Sequence, residues 1–157
     1  DHKGRRMRLW IPEETFVENE QKFMDELVGK IETIVSQEPV DIYVNPTFLP
    51  EPIAKKYDEL WTDARIDRMV KALAQNGVAL EINSRFRLPS EKVLRKAREA
   101  GVKFSFGTNN GAADLGTLDY SLEMKEKLGL TYKDMFMPRK QNEKRVLVKG
   151  LPKKITG

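Results

Sequence analysis

This chain of 157 residues carries a formal net charge of +4, is 39% hydrophobic and contains no cysteine. Its length and apolar fraction suffice for one domain with one core. The lack of cysteine excludes disulfides, thiol nucleophiles and thiolate metal sites. No apolar run approaches the roughly 20 residues of a membrane helix. The first residue is Asp1 rather than Met, which fits a mature form or an excised piece of a longer protein.

The excess positive charge lies near the two ends of the chain. Residues 1–13 form an irregular basic lead-in, and residues 137–157 form a basic tail. The run 91–99 mixes Lys and Arg with Glu, which is typical of a solvated helix face. The two ends lack the regular interleaving of aromatic and basic residues found in single-strand binders, so the charge does not predict nucleic-acid binding. The one histidine, His2, cannot by itself build a His-rich metal site.

The first half of the chain predicts a helix, a strand and a second helix. The first helix is expected over 14–36, because its apolar residues share one helical face. Those residues are Val17, Met24, Val28, Ile31 and Val35. The β-branched segment 40–44 predicts a strand, and 46–61 a Pro-rich loop with one helical turn. The second helix is predicted from Thr62, as its N-cap, to Asn76, with Gly77 as its stop.

The second half repeats the pattern. Strands are predicted over 78–82 and 102–106, separated by a helix over 89–100 that Gly101 ends. A further helix is expected from Thr117, as its cap, to Leu128. The last predicted elements are a short helix at Thr131 and Asp134, whose spacing is that of a capping box, and a strand over 145–149.

Strand and helix thus alternate along a single domain spanning 1–157, which predicts an α/β fold with a parallel sheet. About four strands are predicted, whereas a closed barrel needs about eight strand–helix units. The chain is therefore expected to form a small open sheet or part of a barrel.

The carboxyl ends of parallel strands gather at one edge of a sheet, where ligands bind. Polar residues come after all three central strands at this edge. In strand order they are Asn45, then Asn83, Ser84, Arg85 and Arg87, then Thr108, Asn109, Asn110 and Asp114. Glu81 lies within the second strand, where a carboxylate is costly unless it is hydrogen-bonded or paired.

Each part of this candidate site has two interpretations. Glu81 is either a general base or anchor for a basic ligand, or a structural acid. Arg85 and Arg87 either hold an anionic substrate, or one of them covers Glu81 or Asp114 while the other is solvated. Residues 108–111 either present N–H groups and amides to a phosphate or sugar or form a tight turn. Oxygen ligation of Mg²⁺ is open to Asp41, Glu81 and Asp114, although their spacing does not single it out.

Three segments together resemble the carboxyl-terminal half of the PHP (polymerase and histidinol phosphatase) family. Asp41-Ile-Tyr-Val-Asn-Pro46 is similar to the family's D-I-x-x-H-P strand exit. Val78-Ala-Leu-Glu-Ile-Asn83 is similar to its v-a-l-E-I-N strand. The stretch from Ala100 to Gly111 is similar to A-G-v-x-f-x-x-G-S-D-A-H, and 114–116 fits the family's next residues after that motif. The resemblance spans about residues 39 to 136.

The resemblance implies a partial or distorted (β/α)7 TIM-like barrel that hydrolyses phosphate esters with Zn, Mn or Fe ions. Three family ligand positions fall on Asn45, Asn109 and Gly111, where the family has His, Asp and His. The amino-terminal H-x-H and the middle His and Glu ligands have no counterpart. Amides are weak neutral ligands and glycine has no side chain. The expectation is therefore a PHP-like phosphoesterase relative with a remodelled or lost metal site.

Two alternatives remain: a non-catalytic domain of the same fold that binds phosphate or carbohydrate, and a small α/β interaction domain. The expected ligand is a phosphorylated small molecule or a sugar. The chain is expected to be about half a barrel, whose remainder comes from upstream sequence, a partner or a second copy.

Overall fold

The computed structural model describes residues 14–110 and 115–138. These residues contain six α-helices, three β-strands and one 3₁₀ turn at Tyr132–Asp134. The helices are α1 (Glu20–Gln37), α2 (Glu51–Ala54), α3 (Tyr57–Leu60), α4 (Asp63–Asn76), α5 (Glu91–Glu99) and α6 (Asp119–Leu128), and the strands are β1 (Ile42–Tyr43), β2 (Ala79–Asn83) and β3 (Phe104–Gly107). Within these described ranges, no helix is long and apolar enough to cross a bilayer.

The three strands form one parallel sheet in the order β1-β2-β3. Ile42 lies opposite Ala79, and Leu80 lies opposite Phe104. The parallel pairing and the mixture of helices and strands confirm the predicted α/β class. Over the described residues the sheet is open. The expected final strand, 145–149, lies outside the described part of the chain, as do the basic lead-in 1–13 and most of the tail.

Side-chain capping determines where several helices begin. The Asn19 side chain accepts a hydrogen bond from the Lys22 N–H at 2.9 Å, so α1 begins at Glu20 rather than at the predicted residue 14. Thr62 caps α4 as predicted, with its hydroxyl accepting from the Arg65 N–H. The prediction for α6 was wrong, because Leu118 rather than Thr117 stands at its N-cap and makes no side-chain cap bond.

Two helices, α4 and α6, end at glycines. Gly77 and Gly129 adopt φ of 61° and end α4 and α6 in the left-handed conformation, which glycine adopts without a steric penalty. The capping box predicted for Thr131 and Asp134 is present at the 3₁₀ turn, where each side chain accepts a hydrogen bond from the backbone of the other end.

The core lies between the sheet and the helices. In β2, Leu80 and Ile82 are fully buried on one face, because successive side chains of a strand point to opposite faces. Helix α1 packs against α4, and α4 packs against α5. The predicted apolar face of α1 is confirmed from Met24 to Val35, whereas Val17 lies before the helix.

A buried arginine ties three helices together. Arg65, in α4, donates to the Leu60 carbonyl at 2.9 Å, to the Gln21 side chain at 2.9 Å and to Asp25 at 2.8 Å. The loop 46–61 contains two short helices rather than the one predicted turn. It is held by Trp61, whose indole N–H donates to the Thr47 carbonyl at 3.0 Å.

Candidate functional site

The three strand ends bring four polar side chains together, as the parallel topology predicts. Asn45 lies two residues after β1, Glu81 and Asn83 belong to β2, and Asn109 lies two residues after β3. We refer to Asn45, Glu81, Asn83 and Asn109 as the strand-end cluster. Its members are joined by direct hydrogen bonds although they lie far apart in the sequence.

Asn83 is the centre of the strand-end cluster. It is fully buried, and its amide nitrogen lies 2.8 Å from Asn109 Oδ1, 3.0 Å from Asn45 Oδ1 and 3.2 Å from Glu81 Oε2. An amide nitrogen has two hydrogens, so one of them is shared between two acceptors. The Asn83 amide oxygen accepts from the Phe86 N–H at 3.0 Å. This side chain therefore fixes all three strand ends relative to one another.

The Glu81 carboxylate is held on one oxygen and open on the other. Oε2 accepts the Asn45 backbone N–H at 2.6 Å and the Asn83 amide at 3.2 Å. Oε1 makes no hydrogen bond to the described residues and lies against Gly107, where an added Cβ would overlap the carboxylate. Glu81 is only 8% exposed, and the charge-assisted bond from Asn45 offsets part of the cost of burying it.

The two outer asparagines have a backbone requirement as well as a side-chain role. Asn45 and Asn109 both have φ of 46°, in the left-handed region that Asn tolerates better than most side chains. The loop after β1 is left-handed again at Thr47, whose φ is 63° and whose hydroxyl lies 2.6 Å from the Tyr57 hydroxyl. Turn formation and site formation thus favour the same residue type at both strand exits.

The two candidate arginines point in different directions. Arg85 donates from Nη1 to the Asn109 carbonyl at 2.9 Å, and its guanidinium is at the rim of the strand-end cluster. Arg87 instead pairs with Glu123 at 2.7 Å and lies 4.7 Å above the Tyr120 ring. Hydrogen bonds from Lys127 and then Arg87 lower the pKa of the Glu123 carboxyl. Arg87 therefore pairs with Glu123, and so joins its loop to α6, rather than covering Glu81.

Hydrogen bonds within the loop after β3 stabilise it. The Thr108 hydroxyl donates to Asn110 Oδ1 at 2.7 Å, and the same oxygen accepts the Gly116 N–H at 2.8 Å. Asn110 therefore stabilises the turn. Gly111 and Asp114 lie outside the described residues. Ser84, another candidate, is buried, with its hydroxyl 2.8 Å from that of Ser121 in α6.

The acids proposed as Mg²⁺ ligands are not all brought together. Asp41 stands before β1 and is exposed, at the opposite end of the strand from Asn45. Across residues 14–110 and 115–138, no group of three or more His, Cys, Asp or Glu side chains could hold a metal ion. A groove of about 390 Å³ lies elsewhere, between α4 and α5, and is lined by mixed charges such as Asp67, Lys71 and Glu99.

Two aromatic residues beside the strand-end cluster were not predicted from the sequence. The rings of Phe48 and Phe86 meet edge to face with centroids 4.8 Å apart. Each comes three residues after a member of the cluster, Asn45 in one case and Asn83 in the other. The sequence feature that could have identified Phe86 is an apolar residue within the otherwise polar segment that begins at the end of β2, Asn-Ser-Arg-Phe-Arg.

Comparison of the chain with protein-family models, with curated proteins and with solved structures finds no match.

Proposed function

We propose that the strand-end cluster is the ligand site of a PHP-like phosphoesterase relative whose metal site is remodelled, and that it binds a phosphorylated or polyhydroxylated small molecule. The observation that carries the proposal is the buried Glu81 carboxylate. It stands at the carboxyl end of the central strand, with Oε2 held by the Asn45 N–H, while Oε1 lies against Gly107 without a hydrogen bond to the described residues. That position in a parallel sheet is where ligands bind.

The donor set does not fit a transition-metal centre. Glu81 is the one anionic side chain of the strand-end cluster. The amide oxygens of Asn45 and Asn109 are neutral and already accept from Asn83. Zn, Mn and Fe favour imidazole, thiolate and carboxylate ligands. We therefore assign binding, rather than metal-dependent hydrolysis, to these residues.

The same atoms suit a hydroxyl-rich or phosphorylated ligand. Oε1 of Glu81 is a charged acceptor for a hydroxyl group. The Arg85 guanidinium has five N–H donors, of which the described structure engages one nitrogen, on the Asn109 carbonyl. Its remaining donors can meet two phosphate oxygens at once.

A second candidate is phosphoester hydrolysis in a fuller (β/α)7 barrel, whose additional ligands come from further sequence or a partner. An exposed apolar residue at the outer strand favours this alternative, because Val44, the residue after β1, is 55% exposed, and sheet edges are usually paired or covered.

The test combines ligand binding with metal analysis. Backbone amide signals of the isotope-labelled chain are monitored by NMR during titration with inorganic phosphate, glucose and glucose phosphate. We expect shifts confined to Asn45, residues 81–86 and residues 107–109, and binding of glucose and glucose phosphate weakened about tenfold in Glu81→Gln. Glu126→Gln, an exposed acid in α6, is the matched control and should bind as the original chain does.

The alternatives give different results. Stoichiometric Zn, Mn or Fe by elemental analysis, with hydrolysis of nitrophenyl phosphate that Glu81→Gln abolishes, would establish the metal-dependent phosphoesterase instead. If no ligand shifts the amides at the strand ends, the cluster is a structural network and the proposal is wrong.

A further inference from the structure

We infer that the ligand is a sugar phosphate whose ring packs its nonpolar face on Phe86, a step that rests on the proposed function of the strand-end cluster. The inference comes from an aromatic pair, Phe48 and Phe86, that the fold sets beside the polar cluster. Acceptors, an aromatic ring and a guanidinium then share one rim, and each matches a different part of such a ligand.

Both rings are fixed to the cluster through the backbone. The Phe86 N–H donates to Asn83 Oδ1 at 3.0 Å, and the Phe48 N–H lies 3.4 Å from the Asn45 carbonyl. The two rings then meet at an interplanar angle of 73°, an edge-to-face arrangement that holds both in place. Their positions are therefore determined by the residues that would bind the ligand.

Phe86 remains accessible in spite of these contacts. It is 39% exposed, whereas Phe104, in β3, is fully buried. A single exposed aromatic residue needs no explanation. One that is held by an adjacent buried polar network has the composition of a ligand site, in which an apolar surface is combined with a few placed polar groups.

Charge then orients the ligand. Glu81 repels a phosphate group, so the phosphate belongs at the other side of the rim, on Arg85. The Arg85 guanidinium lies 6.0 Å from the Phe86 ring centroid and donates to the Asn109 carbonyl at 2.9 Å. Sugar hydroxyls, which are hydrogen-bond donors, suit the open Glu81 oxygen. A bare phosphate would leave the aromatic ring unused, and a neutral sugar would leave Arg85 unused.

Isothermal titration calorimetry with glucose phosphate, glucose, inorganic phosphate and adenosine monophosphate tests the inference. We expect glucose phosphate to bind most tightly. Phe86→Leu should weaken it about tenfold and leave inorganic phosphate unchanged. Arg85→Gln should weaken glucose phosphate and inorganic phosphate alike. The control is Tyr132→Leu, an aromatic residue that is 79% exposed away from the cluster, which should change neither ligand.

Failure of this inference is distinguishable from failure of the proposed function. If sugar phosphate and inorganic phosphate bind with equal affinity in the original chain and in Phe86→Leu, the aromatic ring has no role and the inference is overturned, while the site stands. Tighter, Phe86-dependent binding of adenosine monophosphate overturns the sugar assignment. If none of the four ligands binds, the inference and the proposed function both fall. Circular dichroism of Phe86→Leu and Arg85→Gln checks that both variants retain the fold.

Discussion

At the scale of single residues, the asparagines of the strand-end cluster satisfy two requirements at once. Asn45 and Asn109 stand in the left-handed region at φ of 46°, and both side chains accept from Asn83. The PHP resemblance treats the same two positions as metal ligands that have been replaced. The structure adds that an amide side chain there also allows the strand to turn sharply at its exit.

A glycine is needed at position 107 because the Glu81 side chain lies against it, and not because of its backbone conformation. A Cβ at this position would overlap the Glu81 carboxylate, so Gly107→Ala must displace that side chain. We expect a loss of about 1–3 kcal/mol in the free energy of unfolding, as for other overpacked buried sites. Urea denaturation measures it. Ser105→Ala, in the same strand, is the control and should stay within about 0.5 kcal/mol.

A double-mutant cycle assigns the cause of that loss. In the Glu81→Ala background there is no carboxylate to overlap, so Gly107→Ala should cost distinctly less than it does alone. An equal loss of stability in the two backgrounds would show that Glu81 does not lie against Gly107, and the described position of Oε1 would then be wrong.

At the scale of elements, local caps determine several of the helix ends. Asn19 and Thr62 accept N–H groups of the first turn, while Gly77 and Gly129 end their helices in the left-handed conformation. These are interactions between residues at most a few positions apart. This explains why the ends of α4 could be predicted from the sequence to within one residue.

The substitution of glycine by alanine should therefore have opposite effects on the free energy of unfolding at two positions. Gly29 lies inside α1 with nothing within 4 Å of an added Cβ, so Gly29→Ala should raise the free energy of unfolding by about 0.5–1 kcal/mol. Gly129 has equal space but φ of 61°, so Gly129→Ala should lower it by about 1 kcal/mol. Thermal and urea unfolding of both variants measure the two effects.

The two glycine variants control for each other, since both add a methyl group in open space. Loss of stability in both would mean that α1 is strained at residue 29. Gain in both would mean that α6 does not end in the left-handed conformation.

At the scale of the whole molecule, two tyrosine hydroxyl groups, of Tyr43 and Tyr120, make the free energy of unfolding change with pH in the alkaline range. Burial raises the pKa of Tyr43 to about 12, although the residue is partly exposed, and burial likewise raises the pKa of Tyr120 to about 12. The Tyr120 hydroxyl donates to the Pro89 carbonyl at 2.6 Å and so joins α6 to the loop before α5. Ionisation of either group is thus harder in the folded chain than in the unfolded one.

Stability should therefore fall as the pH rises. A folded pKa above the unfolded value of 10.0 gives stability that is complete below pH 10 and is lost as pH rises toward 12. Urea denaturation at several pH values should show the free energy of unfolding falling across this range, and falling less steeply in Tyr120→Phe. Tyr132→Phe, at an exposed position, should retain the original slope. Identical slopes in all three proteins would contradict the assignment to Tyr120.

Sequence patterns alone were enough to predict the order of helices and strands, the parallel sheet, and the edge at which Asn45, Glu81, Asn83 and Asn109 meet. Periodicity and caps depend on residues within one or two turns, and parallel pairing places every strand exit at one edge. Strand lengths were less predictable. β1 has two residues where the pattern 40–44 predicted five, because pairing starts opposite Ala79, the first residue of β2, and the chain turns at Asn45, whose φ is 46°.

The contacts between side chains, in contrast, depend on the folded chain. Arg85 and Arg87 look equivalent in the sequence, yet one meets the Asn109 carbonyl and the other Glu123. Phe48 and Phe86 become neighbours only once β1 and β2 are paired. The physical reason is that these contacts join residues some 24 to 38 positions apart, so their distances are determined only when the strands pair and the helices pack on the sheet.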